Sequence, residues 1–133
     1  IMPVNLGVGI RLPADSTSMG RVLLAGLPPA QLRQRIDAMT LVQHTSKTIT
    51  DPDRLQAAIE QVRIQGWGLD NGELHPGLVS LAAPIRDRNG RVVAAINISG
   101  QATTTSAAHL LDVCLPKLLA AAAKINMLAS AQT

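Results

Sequence analysis

The dipeptide Asn89-Gly90 constrains the fold more than any other feature, because it stands between two apolar runs, Leu78–Arg86 and residues 91–99. Asn-Gly is the strongest short-range signal for a β-hairpin, since both residues tolerate the positive φ of a type I′ turn. We therefore predict two antiparallel strands in which opposed residue numbers sum to 179, so that Arg88 faces Arg91. A four-residue loop would give the same register, whereas a three-residue loop would break it.

This register divides the side chains of the hairpin between two faces. One face is apolar and is predicted to be core: Val79, Leu81, Ala83, Ile85, Val92, Ala94, Ile96 and Ile98. The other mixes short polar groups with small apolar ones: Leu78, Ser80, Ala82, Pro84, Ala95, Asn97 and Ser99. Small apolar walls with a few convergent polar groups are typical of a ligand pocket. A weakly polar face covered by a helix or by another subunit fits the same composition equally well.

The rest of the chain reads as alternating helices and short β segments. A strand is predicted over residues 4–12, an irregular segment over 40–51, and a β region beginning at 67–70. Capping residues and apolar periodicity predict helices at about 17–25, 29–39, 52–65 and 106–128, the last with a kink at Pro116.

The first helix start, Thr17-Ser18-Met19-Gly20, is a candidate anion site. A helix N-terminus presents free N–H groups and partial positive charge, and Gly20 would let a ligand approach the backbone closely. The alternative is an ordinary helix cap in which the glycine serves helix packing.

Charge and composition argue against several functional classes. The net charge is only +3, the basic residues are dispersed except for Arg86, Arg88 and Arg91, and Trp67 is the only aromatic residue. Direct nucleic-acid binding by this chain is therefore disfavoured. A single cysteine, Cys114, favours a reducing cytoplasmic location, and neither it nor the histidines have metal-ligand spacing. We expect no metal, no other cofactor and no membrane interaction.

Two further functions remain to be compared with a sensing pocket. Asp70, His75 and Ser80 lie close in sequence and suggest a small hydrolase, but Ser80 lies mid-strand without the Gly-x-Ser-x-Gly elbow. A purely structural oligomerisation module, built on the apolar C-terminal helix and an edge strand, is the other alternative. We expect the chain not to be an enzyme.

Several motifs, taken together and in order, resemble one known family. They are Gly9-Ile10-Arg11-Leu12-Pro13, Thr17-Ser18-Met19-Gly20-Arg21-Val22-Leu23-Leu24-Ala25, Gln65-Gly66-Trp67, Glu73-Leu74, Gly77-Leu78, Ala83-Pro84-Ile85-Arg86-Asp87 and Gly90 to Ser99. The chain is similar to the C-terminal effector-binding domain of IclR-type bacterial transcriptional regulators over essentially its whole length. The segment from Ser18 to Ala25 is similar to the PcaR/PobR/PcaU branch, whose members respond to aromatic acids and intermediates of the β-ketoadipate pathway.

The resemblance implies an α/β (α+β), GAF-like fold, with a curved, mostly antiparallel sheet flanked by helices. Residues 1–133 would form the effector-binding domain, and an N-terminal winged helix-turn-helix DNA-binding domain would be absent from this chain. The family also implies homodimers or homotetramers that contact DNA only through that missing domain.

The resemblance further implies an effector site for a small organic acid. The helix start would hold the ligand's carboxylate, and polar side chains would bind its other oxygens. As a separate hypothesis, we expect closure of the loop near residues 70–77 to shift the dimer or tetramer arrangement. Ser80 and Asn97 stand where some members have Cys and Ser, which leaves the ligand's identity open. The effector-binding positions are Leu12, Ser18, Met19, Gly20, Asp70, Leu78, Ser80, Asn97 and Ser99.

Overall fold

The computed structural model describes residues 7–131 and the side chains of residues 7–129. Three helices precede a three-stranded sheet, and a long helical segment follows it. The elements are α1 (Ser18–Ala25), α2 (Pro29–Ala38), α3 (Pro52–Gln65), β1 (Gly68–Asn71), β2 (Leu78–Arg86), β3 (Val92–Gln101), α4 (Ala107–His109), a π-helical turn (Leu110–Cys114) and α5 (Leu115–Ala131).

The helix boundaries follow the local capping chemistry read from the sequence. The Thr17 side chain accepts from the Gly20 N–H, and the Asp51 side chain accepts from the Arg54 N–H. Gly66 ends α3 with φ +84, a left-handed conformation that glycine adopts without steric cost. Ser106 caps the last helical segment. Because these signals are local, the predicted helices are confirmed to within a few residues.

The sheet is antiparallel, with strand order β1-β2-β3, and the mixed α/β fold with flanking helices is confirmed. The predicted register is also observed for most of the hairpin, with Ser80 opposite Ser99, Ala82 opposite Asn97 and Pro84 opposite Ala95. In β1, Asp70 lies opposite Ser80. The polar residues of three strands therefore meet at one end of the sheet.

The hairpin turn itself differs from the prediction. Asp87, not Arg88, faces Arg91: the Asp87 N–H donates to the Arg91 carbonyl at 2.8 Å. Gly90 has φ +81, whereas no described non-glycine residue has positive φ, so the prediction of a type I′ turn is wrong. A three-residue loop with glycine in the left-handed position replaces it.

A second irregularity cancels the register shift that such a loop causes. Arg86 lies opposite Val92, whereas Ile85 lies opposite Ala94, so Val93 is an extra residue in β3. This β-bulge restores the predicted pairing towards the open end of the hairpin.

Two hydrophobic cores lie on opposite faces of the sheet. One joins α1, α2 and α3 to Ala82, and includes Val22, Leu32, Leu55 and Ile59. The other joins the apolar face of β2 to Leu110, Leu118 and Ala122 of the last helical segment, with Trp67 packed against it. Strand β2 is thus covered on both sides, whereas much of β3 stays exposed.

Three predictions about individual segments need correction. Val92 belongs to the opposite face, because it pairs with Arg86 and packs against Gly26, and Ala94 is exposed rather than core. Residues 7–12 form a turn and irregular chain instead of a strand, and residues 4–6 of that prediction lie outside the described residues.

The C-terminal helical segment accommodates Pro116 through a change of helix type. The π-helical turn Leu110–Cys114 immediately precedes the α-helical turn that contains this proline. Proline has no N–H and its ring collides with the carbonyl four residues earlier in a regular α-helix, so a wider turn relieves both conflicts. The kink at Pro116 stays a prediction.

A candidate ligand-binding site between the first helix and the hairpin

A cavity of about 500 Å³ lies between the start of α1, β1, the open end of the hairpin and residues 7–12. Its volume falls within the range of small-molecule sites. Its walls combine aliphatic side chains with hydroxyl, amide and carboxylate groups. The lining residues are Gly7, Val8, Ile10, Leu12, Thr17, Ser18, Met19, Asp70, Leu78, Ser80, Asn97 and Ser99.

Eight of the nine sequence-predicted site residues line this cavity, and Gly20 does not. A Cβ at position 20 would collide with the carbonyl oxygen and Cα of Ala14. The glycine therefore lets α1 pack closely against the chain that leads into it, which is the helix-packing alternative rather than ligand approach. Four lining residues were not among the predicted positions, Gly7, Val8, Ile10 and Thr17. Of these, Thr17 belongs to the predicted anion site and Ile10 to one of the family motifs.

The start of α1 presents backbone donors to the cavity. The Gly20 N–H is satisfied by the Thr17 hydroxyl at 3.2 Å, whereas helix geometry leaves the N–H groups of Ser18 and Met19 without an acceptor within the helix. The Ser18 hydroxyl lies 2.8 Å from the Ser80 hydroxyl, and this pair is buried. The hydrogen bond fixes β2 to the helix start and orients both hydroxyl groups beside the free donors.

Asp70 contributes a carboxylate that is only 1 % exposed. Its Oδ1 accepts from the Glu73 N–H at 2.8 Å, while its Oδ2 is buried without a hydrogen-bond partner. Burial raises the pKa of Asp70 to about 6; the Glu73 charge adds to the rise, and the backbone hydrogen bond and the Arg21 charge oppose it. A buried acceptor of this kind is costly unless a ligand or a proton satisfies it.

A buried ion pair supports the site from behind. The Arg21 guanidinium donates to both carboxylate oxygens of Glu73 at 2.6 and 2.8 Å, and its Nε donates to the Asp15 carbonyl. The hydroxyl groups of Thr45 and Thr48 bond the carbonyls of Gly72 and Glu73 at 2.6 Å. The start of the segment after β1, predicted to close over a ligand, is therefore already anchored to α1 and to the segment before α3.

Asn97 and Ser99 form the outer, exposed part of the polar surface. The Asn97 side-chain amide donates to the Ser99 hydroxyl at 2.8 Å. Its amide oxygen and the Ser99 lone pairs remain able to bind a ligand. Among the described residues, none that lines the cavity is Lys, Arg or His, and the start of α1 supplies partial positive charge there.

The predicted features of a hydrolase do not assemble. Ser80 is bonded to Ser18, while His75 is not a lining residue and its Nδ1 accepts from the Gly77 N–H at 3.0 Å. Among the described residues, no group of three His, Cys, Asp or Glu side chains could hold a metal ion, and no helix is long and apolar enough to cross a membrane. Trp67 packs in the core of the opposite sheet face, which makes its fluorescence a poor reporter of this cavity.

Comparison with known proteins gives one consistent result. The family model of the bacterial transcriptional regulator IclR C-terminal domain matches residues 2–127. The chain is 46% identical over 121 residues to the Pca regulon regulatory protein of Pseudomonas putida, covering 91% of this chain and 42% of that protein. It is 33% identical over 118 residues to the Pca operon regulatory protein of Acinetobacter baylyi, covering 89% and 42%. The chain thus spans less than half the length of these relatives.

Solved structures give the same picture. A transcriptional regulator from Rhodococcus sp. RHA1 superposes with a TM-score of 0.95 at 43% identity, covering 100% of this chain and 54% of that one. The PobR inducer-binding domain from Acinetobacter, a double mutant in complex with 3-hydroxybenzoic acid, superposes with a TM-score of 0.89 at 30% identity, covering 95% and 72%.

Proposed function

Since this chain belongs to the IclR family of bacterial transcriptional regulators and matches their C-terminal domain, we propose that it senses a small organic acid. The acid, an aromatic acid or an intermediate of the β-ketoadipate pathway, would occupy the cavity at the start of α1. Binding would alter how the full-length regulator binds DNA in the cytoplasm, through a DNA-binding domain outside this chain. The chain itself performs no catalysis.

One observation carries this proposal: backbone donors and short polar side chains converge on an aliphatic cavity at a helix start. The N–H groups of Ser18 and Met19 accommodate a carboxylate, because helix N-termini bind anions. Ser80, Asn97 and Ser99 lie where they can bond the ligand's other oxygens. The complex of the related PobR domain with 3-hydroxybenzoic acid supports an acid of this size class.

The response to the ligand would be a shift between states of a homodimer or homotetramer. Arg21 of α1 bonds Glu73 in the segment after β1, so a ligand that displaces the free donors of α1 would displace α1 and this segment together. A shift of α1 changes the face that the domain presents to its neighbours. The free energy that couples ligand binding to DNA binding equals the difference in the free energy of ligand binding between the two states.

The test is a panel of 3-hydroxybenzoate, 4-hydroxybenzoate, adipate, 3-oxoadipate and pyruvate, measured by thermal unfolding and calorimetry. A ligand at a hundredfold excess over its Kd stabilises the chain by about 2.7 kcal/mol. Ser99→Leu, which places a bulky side chain in the cavity, should remove this stabilisation without lowering the melting temperature of the free domain. Ala121→Leu on the exposed side of α5 adds the same side chain elsewhere and should leave binding intact. Normal binding by Ser99→Leu would place the ligand elsewhere.

A further inference from the structure

The cavity contains a carboxylate oxygen that the protein leaves unsatisfied. Oδ2 of Asp70 is buried and has no hydrogen-bond partner, although Oδ1 of the same group is bonded to the Glu73 N–H. Asp70 lines the cavity together with the start of α1. A bound acid would therefore lie in the same cavity as this buried carboxylate.

Two carboxylates in one such space repel each other unless a cation or a proton intervenes. Within the part of the chain that the structure describes, no lining residue supplies a cation. A ligand hydroxyl could donate to Oδ2, but it would leave two negative charges in the cavity. A single shared proton removes one charge and creates an O–H···O hydrogen bond, which is the usual outcome when like-charged carboxyl groups meet.

The charged groups around Asp70 do not provide the missing compensation. Glu73, in the segment after β1, carries negative charge and raises the pKa of Asp70, whereas Arg21 of α1 lowers it. Both terminal nitrogens of Arg21 are bonded to Glu73, and the ion pair has side-chain exposures of 7% and 12%. The neighbouring residues on the remaining sides, Ser80 of β2 and Ser18 of α1, are neutral.

We propose that binding of an organic acid is coupled to uptake of one proton from solvent, and that Oδ2 of Asp70 holds this proton and donates it to the ligand. The proposal rests on the proposed function and specifies the protonation state of its site. The buffer acid loses a proton and Oδ2 of Asp70 gains it, so one bond to hydrogen breaks in the buffer and one O–H bond forms on Asp70, with no other bond changed. The ligand stays a carboxylate, bound by the N–H groups of α1.

The direction of the pH dependence follows from the free state. The pKa of Asp70 in the free domain is about 6, so Asp70 is mostly ionised at pH 7–8 and must gain a proton as the acid binds. Affinity should fall about tenfold for each pH unit in this range, because one proton is taken up per ligand. The ligand's own carboxyl group stays ionised throughout this window and contributes nothing.

The experiment is calorimetric titration of the 133-residue chain with each acid of the panel that binds. Titrations at pH 7.5 in buffers of different ionisation enthalpy give the number of protons taken up, and Kd is measured from pH 6.5 to 8. We expect uptake close to one proton. Asp70→Asn, a neutral side chain of the same shape, should remove the uptake and flatten the pH profile. Asp112→Asn, at an exposed carboxylate on the last helical segment, should change neither.

The outcomes separate the two proposals. Binding without proton uptake, with a Kd independent of pH, overturns the inference and leaves the proposed function standing. Binding by no acid at any pH from 5.5 to 8 contradicts both. The wild-type measurement decides the matter without a variant, so a folding defect in Asp70→Asn would not obscure the result.

Discussion

At the scale of a single residue, the buried carboxylate of Asp70 destabilises the ligand-free domain at neutral pH. Burial raises its pKa to about 6 in the folded chain, against the ordinary value of 3.8 for an aspartate. The folded state therefore binds the proton more tightly than the unfolded state. The stability that Asp70 contributes is fully present below pH 3.8 and is lost as the pH rises through about 6.

Asp70→Asn should consequently stabilise the free domain at neutral pH. The expected gain in the free energy of unfolding is about 3 kcal/mol at pH 7.5, because each unit of pKa shift corresponds to about 1.4 kcal/mol. The gain should shrink as the pH falls below about 6 and vanish only well below pH 3.8, where Asp70 is protonated in both the folded and the unfolded state. Urea unfolding across this range measures it, and a difference that does not vary with pH would contradict the assignment.

The scale of single residues also shows why part of the site could be predicted. Ser80, Asn97 and Ser99 share a face through strand alternation, and Ser18 follows from a cap signal, so periodicity and local chemistry placed them correctly. The packing of Gly20 against Ala14 could not be predicted, since it depends on how the preceding chain returns to the helix. The anchoring of Glu73 by Arg21 spans 52 positions in sequence and has no local signal.

At the scale of elements, the hairpin is stabilised by a turn other than the one its sequence favours. The Asp87 carboxylate accepts from the N–H groups of Asn89 and Arg91 at 2.8 and 3.0 Å. This side-chain cap favours the three-residue loop, in which only Gly90 needs positive φ. The predicted register is correct for most of the hairpin because the bulge at Val93 compensates for the three-residue loop. The sequence gives no clear signal for this bulge or for the face on which Val92 lies.

The two possible turns predict different losses of stability when Asn89, the residue before the glycine, is replaced. In the observed turn, Gly90→Ala should cost about 1 kcal/mol of stability because of the positive φ, while Asn89→Ala should cost a few tenths of that. A type I′ turn would penalise both substitutions similarly, since both residues would have positive φ. Thermal unfolding of the two variants distinguishes the turns, and equal losses would contradict the observed geometry.

At the scale of the whole molecule, a considerable apolar surface remains exposed. Five large apolar residues of the last helical segment are at least 38% exposed, and within the described residues β3 pairs only with β2. An open strand edge and exposed apolar groups favour self-association. The dimer or tetramer that the family implies therefore has surfaces available on this chain.

Sedimentation velocity should show a dimer or larger species at micromolar concentrations. Val93→Lys, at an exposed position on the β3 edge, should weaken association, because charged side chains blunt strand edges. Val42→Lys makes the same change at an exposed loop residue and should have no effect. A single monomeric species at every concentration would contradict the prediction for this chain.

The first and last residues of helix α1 contact different parts of the domain. Its first residues form part of the cavity, while its last turn is fastened by Arg63, which donates to the carbonyls of Ala25 and Leu27 at 2.8 and 2.6 Å. Just beyond it, Gly26 packs against Val92 near the hairpin turn. Eight residues make a rod of about 12 Å, and packed interiors barely compress. A ligand that displaces the start of α1 would therefore also strain the bond of Arg63 to Ala25 and the contact between Gly26 and Val92.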